Sequence, residues 1–524
     1  MNPPGLYEPW RRADYLWLGA ILVVAAALRL ARLDLVSITA DEGIHGTGAR
    51  NVSLLWFEMF PVVGLPSVGI RNSALFMYLI ALPNFVWRHP LSGVAFIAAL
   101  NLLSVAMTYR LGRRWFGRPA AIVGAALLAV SPWAVLYARN MWPPSAVIPA
   151  ALLVLGAGLR FAHSGGNRTL FILSLAIFLV PQLHFSGFCA PAWIAIVLAV
   201  SRRRFGPGSF RALLLGALLG AATWAPWIYH QQQQEWSDLA QFTRLFKKDG
   251  AALEAAAKAA VTAPQSPFSA SALADSFAAL LAAGRMDYWF RTPTEDLPEF
   301  FTPHERGLRQ AAGALAGALF LAGCGLACRS LAGRLLLLWI AMPFVLLAAL
   351  RPTLHPHYLW IAFPVPFLFM GLTLRRGALG MLAAAAMVVV IAADLATVRG
   401  WAGYVAAGRT DGADRYQLSY AQRYAAVRSV LDEAGRVEID VAGFFSGLQP
   451  AYSYIHDHEA WERGRGRWPK DRHRLYWFDE THGDEPPLEA FGKLNDAWPQ
   501  FRYEAIEKQW RVGPTRIFKL RGRP

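Results

Sequence analysis

Charged residues and cysteine are scarce in this chain of 524 residues. Asp, Glu, Lys and Arg together make up 16% of it, whereas 55% is hydrophobic. Because long apolar runs recur through the first three quarters, this composition excludes a chain of several soluble domains. The three cysteines, Cys189, Cys324 and Cys328, lie in or at the ends of apolar runs, without zinc spacing or a disulfide framework. We interpret them as small packing residues.

Several familiar sequence motifs are also missing. The chain has no Gly-rich phosphate loop, no nucleic-acid-binding motif and no internal repeat of the transporter kind. Its net charge of +16 comes largely from Lys and Arg in short loops between apolar runs. That distribution is typical of membrane topology and of contact with anionic lipid headgroups, so we expect membrane lipids and no nucleic acid as partners. No small-residue cleavage site follows the first apolar run, which indicates a retained first helix.

Apolar runs that approach 20 residues predict an all-α polytopic membrane protein with about eleven transmembrane helices. Its short basic loops should be cytoplasmic, as should the N-terminus. The segment 73–87 is short and interrupted by Pro83, and every basic loop falls on one side if this segment lies in the interface plane. The predicted spans are 15–33, 92–111, 119–138, 145–162, 169–185, 187–200, 212–230, 307–327, 335–350, 356–373 and 377–398.

Residues 1–398 are therefore predicted to form a transmembrane catalytic domain with outer loops at 34–91 and 231–306. The remainder, 399–524, is richer in charge and lacks a spanning run. It shows one amphipathic helical stretch at 420–435 and several strand-like runs, so we expect a small α/β or α+β extracytoplasmic domain. The predicted location is the bacterial cytoplasmic (inner) membrane, with the C-terminal domain periplasmic or extracellular.

Two adjacent acids, Asp41 and Glu42, follow the first apolar run directly. One interpretation is structural, with Thr39 or Asp41 as the N-cap of a surface helix. The other is catalytic, because a carboxylate partly buried at an interface can act as a general base. An acid pair alone does not decide between them.

Cationic and phenolic side chains are predicted on the same face as these acids. Such groups suit a lipid-linked phosphate at headgroup depth, although each is also typical of an interfacial residue. The donor-phosphate candidates are Arg71, Arg139, His357 and Tyr358, with Arg50, His355 and Arg351 as further candidates.

The motifs around these residues resemble the GT-C superfamily of membrane glycosyltransferases, and within it the bacterial relatives of protein O-mannosyltransferases and the lipid A aminoarabinose transferases. The acid pair after the first helix is one part of the resemblance. The second is "LGRRWFG" followed by an Ala/Leu-rich helix that ends in "SPWAVLYAR", and the third is "HPHYLWIAFPVPFLF". These motifs cover residues 15–145 and 350–370 in the family's order.

The resemblance implies transfer of a sugar from a polyprenyl-phosphate donor to a glycan, lipid or protein acceptor, with inversion at the anomeric carbon. It implies that Asp41 is the base or acceptor-orienting carboxylate, with Glu42 beside it, and that Tyr358 matches the tyrosine of the family's "RY" pair. His357 replaces the arginine of that pair, and no acid follows "YAR", where many relatives carry one. Since hard cations need several oxygen ligands, we expect no cofactor and no metal, and a divalent metal is the less favoured alternative.

Other functions remain open on the sequence. A polysaccharide polymerase or ligase would also use outward-facing cations and a lipid-phosphate substrate. A transporter of lipid-linked glycans would place ionisable residues near the bilayer midplane. Asp394 is the candidate for that role, but we expect it near the end of its helix and hence at the interface. A non-catalytic scaffold would have no need of Asp41.

Overall fold

The computed structural model shows a bundle of apolar helices with a small mixed sheet near the C-terminus. The residues that it describes are 9–67, 70–240, 269–281, 303–350, 356–374, 377–407, 418–435, 438–443, 449–464, 470–479 and 503–522. Its helices are α1 Arg12–Leu30, α2 Ala40–Ser53, α3 Leu75–Ala81, α4 Ser92–Trp115, α5 Arg118–Val130, α6 Pro132–Ala138, α7 Val147–Ser164, α8 Asn167–Leu183, α9 Cys189–Val200, α10 Ser209–Ala222, α11 Ala225–Gln233, α12 Ala270–Leu281, α13 Pro303–Ala327, α14 Leu331–Leu350, α15 Val365–Gly371, α16 Ala378–Ala406, α17 Tyr420–Ala434 and α18 Gln449–Glu462.

Most predicted spans coincide with helices or bent helix pairs of the structure to within several residues. The prediction of one long helix over 356–373 was wrong, because this stretch is a 3-10 helix over Pro356–Ala362 followed by the seven-residue α15. Six of the described helices are individually long and apolar enough to cross a membrane, and two bent pairs qualify when each pair is taken as one span. Helix α16 is longer than predicted, since it runs to Ala406. Asp394 therefore lies buried well inside this helix, and the expectation that it sits near a helix end was wrong. The helix therefore continues past residue 398, where the sequence composition had placed the boundary of the transmembrane domain.

The short apolar segment after the first loop does not form a long helix. It folds as α3, which has 7 residues, followed by a 3-10 turn over Pro83–Phe85. Seven residues of α-helix are about 10 Å long, whereas the hydrocarbon core is about 30 Å thick. The length of α3 agrees with the prediction that this segment lies in the interface plane. A β-hairpin, β1 Val63–Ser67 and β2 Ile70–Ser73, precedes it.

A bend of 61° separates α5 from α6, and Pro132 is its cause. Proline has no N–H to donate to the carbonyl four residues earlier, which here is that of Leu128. The buried Arg29 supplies the missing donor from the end of α1. Its Nη2 donates to the Leu128 carbonyl at 2.7 Å, and its Nη1 donates to the Ala129 carbonyl at 2.6 Å. A charged side chain thus satisfies the backbone groups that the bend exposes inside an apolar bundle.

At the opposite end of α1, Asp14 joins three helices. Its carboxylate is 3.1 Å from Nε of Arg113 and 2.9 Å from Nε of Arg118, and it accepts from the Tyr109 hydroxyl at 3.2 Å. Asp14 is completely buried. Two arginines of the predicted basic loop therefore pair with an acid, in addition to any contribution they make to topology.

The C-terminal residues form a four-stranded sheet covered by α17 and α18. The strands are β3 Glu438–Gly443, β4 Lys470–Asp479, β5 Tyr503–Val512 and β6 Thr515–Gly522, in the spatial order β3-β4-β6-β5. Only β3 and β4 are parallel; the other two pairings are antiparallel. The α+β character predicted for this region is confirmed, while α18 was not predicted. We call residues 418–522 the tail.

The tail packs directly on the loop that follows α1. Ser37 and Ser419 form an antiparallel bridge, and the Tyr420 amide donates to the Val36 carbonyl at 2.6 Å. The buried Arg423 side chain donates to the Ile38 carbonyl. We call the end of the bundle where these contacts occur the tail end. The segment that leads into the acid pair is therefore held by the tail.

The membrane orientation can be tested by cysteine labelling from one side. In a background without Cys189, Cys324 and Cys328, Phe57→Cys should react only with reagent added outside the cell, and Phe205→Cys only after the cytoplasm is exposed. Both positions are solvent-exposed in the structure, Phe57 at 75% and Phe205 at 39%. Reaction of both cysteines from the same side would contradict the predicted topology.

Candidate active site

The acid pair lies in the first turn of α2. Thr39 is the N-cap residue, and Glu42 at the third helical position completes a capping box, accepting from the Thr39 amide at 2.7 Å. Asp41 is the second residue of the helix and is not its N-cap. Of the two N-cap candidates, Thr39 is therefore confirmed and Asp41 is wrong, because Thr39 and Glu42 form the cap.

Glu42 connects α2 to the segment that follows α6. Its side chain is only 2% exposed, and its second carboxylate oxygen accepts from the Met141 amide at 3.0 Å. Burial raises the pKa of Glu42 to about 7, and the amides of Thr39 and Met141 oppose that shift without cancelling it. Both oxygens are thus occupied by backbone groups, so this acid positions two chain segments relative to each other.

Asp41 differs from its neighbour in exposure. Its side chain is partly accessible, and its charge contributes to the raised pKa of Glu42. A carboxylate in the first turn is stabilised by the positive end of the helix dipole. Of the two adjacent acids, Asp41 is therefore the one that is accessible from outside the protein.

Glycines allow α2 to approach the tail closely. A Cβ atom on Gly43 would lie 2.4 Å from the backbone carbon and oxygen of Pro450, and one on Gly46 would lie 2.5 Å from the ring of Tyr454. Tyr454 in turn donates to the Pro90 carbonyl at 3.0 Å. The tail helix α18 thus fixes the position of the helix that carries Asp41.

Arg50, one of the further candidates, lies at this same contact. It is buried, and its Nη1 is 3.5 Å from the carboxylate of Asp457 in α18. The guanidinium also lies over the ring of Trp56 at 5.2 Å. These contacts give Arg50 a role in tail attachment and do not test the phosphate-binding prediction.

The side chain of Arg139, which follows α6, lies against the C-terminal end of α1. Its guanidinium donates to the Ala31 carbonyl at 2.7 Å and to the Arg32 carbonyl at 2.6 Å, with longer contacts to the carbonyls of Leu28 and Arg29. A helix leaves its last carbonyls without helical partners, and Arg139 supplies donors to them. These hydrogen bonds explain the burial of Arg139 without any need for a bound ligand.

Replacing Arg139 with Ala should therefore lower stability. Hydrogen bonds to a charged group contribute about 1.5–3 kcal/mol, so the Arg139→Ala protein should unfold several degrees below the wild type in a thermal unfolding assay. Arg71→Ala is the control, since the Arg71 side chain is exposed and should leave the transition unchanged. Equal transition temperatures for both variants would contradict a structural role for Arg139.

Arg71 itself lies on the hairpin, away from the buried contacts. Its backbone carbonyl accepts from the Trp227 indole at 2.9 Å, and its amide lies 3.4 Å from the Asp238 carboxylate. The hairpin is thus held against α11 through backbone groups, which leaves the guanidinium accessible. Its assignment to the donor phosphate stays a prediction, and Arg351 and His355 lie outside the described residues.

His357 and Tyr358 belong to a buried aromatic cluster at the tail end. The His357 ring is 4.7 Å from the Trp142 ring, which follows Met141 directly in the chain. A second histidine, His184, is 5.2 Å from His357 and 5.7 Å from Tyr358, measured between ring centroids. His184 was not predicted as a site residue, because it is a single histidine after an apolar run with no motif around it.

These contacts join the two halves of the candidate site. Asp41 precedes Glu42, Glu42 accepts from Met141, and Trp142 contacts His357. A partly exposed carboxylate and a group of imidazole and phenol donors are thereby connected through one short segment. These contacts connect α2 to the His357 cluster through the segment that follows α6.

Comparison with known proteins identifies the fold. No family model and no curated protein matches this chain. Its structure is similar to the crystal structure of ArnT from Cupriavidus metallidurans in the apo state, with a TM-score of 0.54, 12% sequence identity and coverage of 97% of each chain. The same protein bound to undecaprenyl phosphate gives a TM-score of 0.56 at 12% identity, covering 96% of this chain and 97% of that one. The polytopic helical fold with a small C-terminal sheet, predicted from the sequence, is confirmed, and it is similar to the fold of this ArnT.

Proposed function

We propose that this protein is a glycosyltransferase that moves a sugar from a polyprenyl-phosphate donor to an acceptor hydroxyl at the outer face of the cytoplasmic membrane. The connection from Asp41 through Glu42 and Met141 to the His357 cluster carries the proposal. The fold adds support, since a protein with this architecture has been crystallised with undecaprenyl phosphate. The acceptor is a glycan, a lipid or a protein.

The reaction needs one base and several donors of hydrogen bonds. Asp41 takes the proton of the acceptor hydroxyl, and the oxygen forms a bond to the anomeric carbon. The bond from that carbon to the phosphate oxygen breaks, its electron pair stays on the phosphate, and polyprenyl phosphate leaves with one more negative charge. Attack opposite the leaving group inverts the anomeric carbon. His357 and Tyr358 stabilise the phosphate as its charge grows.

The remaining candidates have supporting roles in this proposal. Glu42 holds Asp41 in place, and Arg71 approaches the donor from the hairpin. Metal-independent catalysis is part of the proposal, because the base and the phosphate donors above are sufficient for the step described.

A test of the function uses the purified protein with radiolabelled polyprenyl-phosphate sugars. We expect the sugar to appear on an acceptor and the lipid phosphate to be released. Tyr358→Phe and His357→Ala should each raise the donor KM about tenfold, the loss expected for one hydrogen bond to a charged group. Tyr424→Phe is the control, because that hydroxyl donates to Glu459 within the tail.

Other results would favour the alternatives. Extension of a lipid-linked glycan by many units would indicate a polymerase, and movement of intact labelled lipid across the membrane would indicate a transporter. Unchanged donor kinetics in both Tyr358→Phe and His357→Ala would remove these residues from the donor site.

A further inference from the structure

The contact between α18 and the bundle carries a histidine on each side. On the tail side, His458 is 7% exposed, and its ring lies 4.9 Å from the ring of Tyr454, one turn earlier in α18. On the bundle side, His89 lies in the turn that precedes α4. The two sides meet where the Tyr454 hydroxyl donates to the Pro90 carbonyl at 3.0 Å. Both imidazoles therefore belong to the contact through which the tail is held.

The hydrogen bond that His89 accepts requires a neutral ring. Its Nδ1 accepts from the Leu91 amide at 3.1 Å. Because an amide only donates and an imidazolium carries a proton on both ring nitrogens, protonation of His89 would break this bond. The ring also stacks on Trp87 at 4.9 Å and lies 5.8 Å from the ring of Tyr420 in α17. Proton uptake would therefore disturb the turn that receives Tyr454.

His458 follows a carboxylate that is already paired. One oxygen of Asp457 is 3.5 Å from Nη1 of the buried Arg50, and the other is 3.2 Å from Nδ1 of His456. Nε2 of His458 has no hydrogen-bond partner among the residues that the structure describes. A proton on this ring would add a second buried cation near Arg50. Burying a charge is costly unless it is paired, so the contact favours a neutral ring.

Burial is the main reason that both histidines lose affinity for protons in this contact. It lowers the pKa of His458 to about 3, with the charge of Arg50 adding to the effect, and it also lowers the pKa of His89. The neighbouring carboxylates oppose these shifts without cancelling them. The titratable and charged groups that face the two rings come from three helices, namely Arg50 of α2, Tyr420 of α17, and Tyr454, Asp457, Glu459 and Glu462 of α18.

We propose that His89 and His458 make the attachment of the tail sensitive to acid, so that proton uptake by these rings releases α18 from the bundle. In the attached state both rings are neutral, whereas in the released state they face water and titrate with the ordinary histidine pKa of about 6.5. The attachment therefore keeps its full stability above about pH 6.5 and weakens as the pH falls below that value. Release would also remove the contacts of Gly43 and Gly46 that fix α2.

The test measures the reactivity of Ser37→Cys in the full-length protein in nanodiscs, in a background without the three native cysteines. Ser37 is 3% exposed and pairs with Ser419 of the tail, so this thiol should react with a maleimide only after the tail has moved away. Dividing its rate by that of the exposed Phe57→Cys at the same pH removes the effect of pH on the thiol itself. We expect the normalised rate to rise about 30-fold or more between about pH 7.5 and about pH 5, the factor that the two pKa values of His458 imply.

Two substitutions combined should abolish this response. His458→Phe keeps a buried ring that cannot take up a proton, and His89→Asn keeps an acceptor for the Leu91 amide. The normalised rates of the double variant at the two pH values should agree to within about threefold. His458→Gln in place of His458→Phe gives a second double variant, for the case that the larger ring disturbs the contact. His163→Phe is the control, since His163 packs against Trp115 in another part of the bundle and should keep the wild-type response.

Three results would overturn the proposal. Equal normalised rates at the two pH values in the wild type would show that the attachment is not sensitive to acid. A full rise in both double variants would assign the response to other groups. Fast reaction of both double variants already at the higher pH would make packing the role of these rings. No substrate is present in this experiment, so its failure would leave the proposed function intact, and absence of transferase activity would leave this inference intact.

Discussion

Asp41→Asn should lower turnover by about 100-fold or more, the usual scale for removal of a general base. Asparagine has nearly the same shape but cannot accept the proton of an acceptor hydroxyl. The helix should form normally in this variant, because Thr39 and Glu42 provide the cap. Turnover at saturating donor and acceptor measures the effect, and the Kd for undecaprenyl phosphate should stay near the wild-type value.

Asp34→Asn is the matched control for this experiment. Asp34 lies a few residues earlier and pairs with the exposed Arg32 at 2.9 Å. Exposed ion pairs contribute little, so this variant should turn over at the wild-type rate. If Asp41→Asn did the same, the acid would not be the base, and the catalytic interpretation of the pair would be lost.

Gly43→Ala should separate the tail from α2. The added Cβ would lie 2.4 Å from backbone atoms of Pro450, which cannot rotate away as a flexible side chain could. Overpacking of this kind typically costs about 1–3 kcal/mol, and here the clash falls on the helix that carries Asp41. We expect a drop in turnover of about tenfold or more, together with faster proteolysis between the bundle and the tail.

Gly403→Ala is the corresponding control. Gly403 is also helical, but a Cβ there would meet nothing within 4 Å. Its turnover and proteolysis pattern should match those of the wild type. Normal activity in Gly43→Ala with the tail released would instead show that the tail does not position Asp41.

The membrane part of the fold was predictable because lipid imposes one strong constraint. Every backbone group must be satisfied within the segment, so most apolar runs can be assigned as helices from length alone. The run 356–373 is an exception, because Pro364 and Pro366 interrupt it. The N-cap was narrowed only to Thr39 or Asp41 from the sequence, although the T-x-x-E pattern of Thr39 and Glu42 is typical of a capping box.

The rest depends on contacts between distant parts of the chain. The role of Arg139 requires that α6 end beside the last turn of α1, and no local pattern encodes this. The same holds for His184, which can be recognised as part of the candidate site only from its contact with His357. The tail contact also escaped prediction, since Gly43 has no sequence signal that distinguishes it from a glycine facing open space.

The Arg29 contact has a consequence for the synthesis of the protein. Arg29 belongs to α1, but its carbonyl partners Leu128 and Ala129 are made about 100 residues later. At about 5–20 residues per second, translation of that interval takes about 5–20 s. During this time the guanidinium must reach the headgroups, which a long side chain near a helix end can do. The first helix can therefore settle to its final depth only after the bent helix pair has entered the membrane.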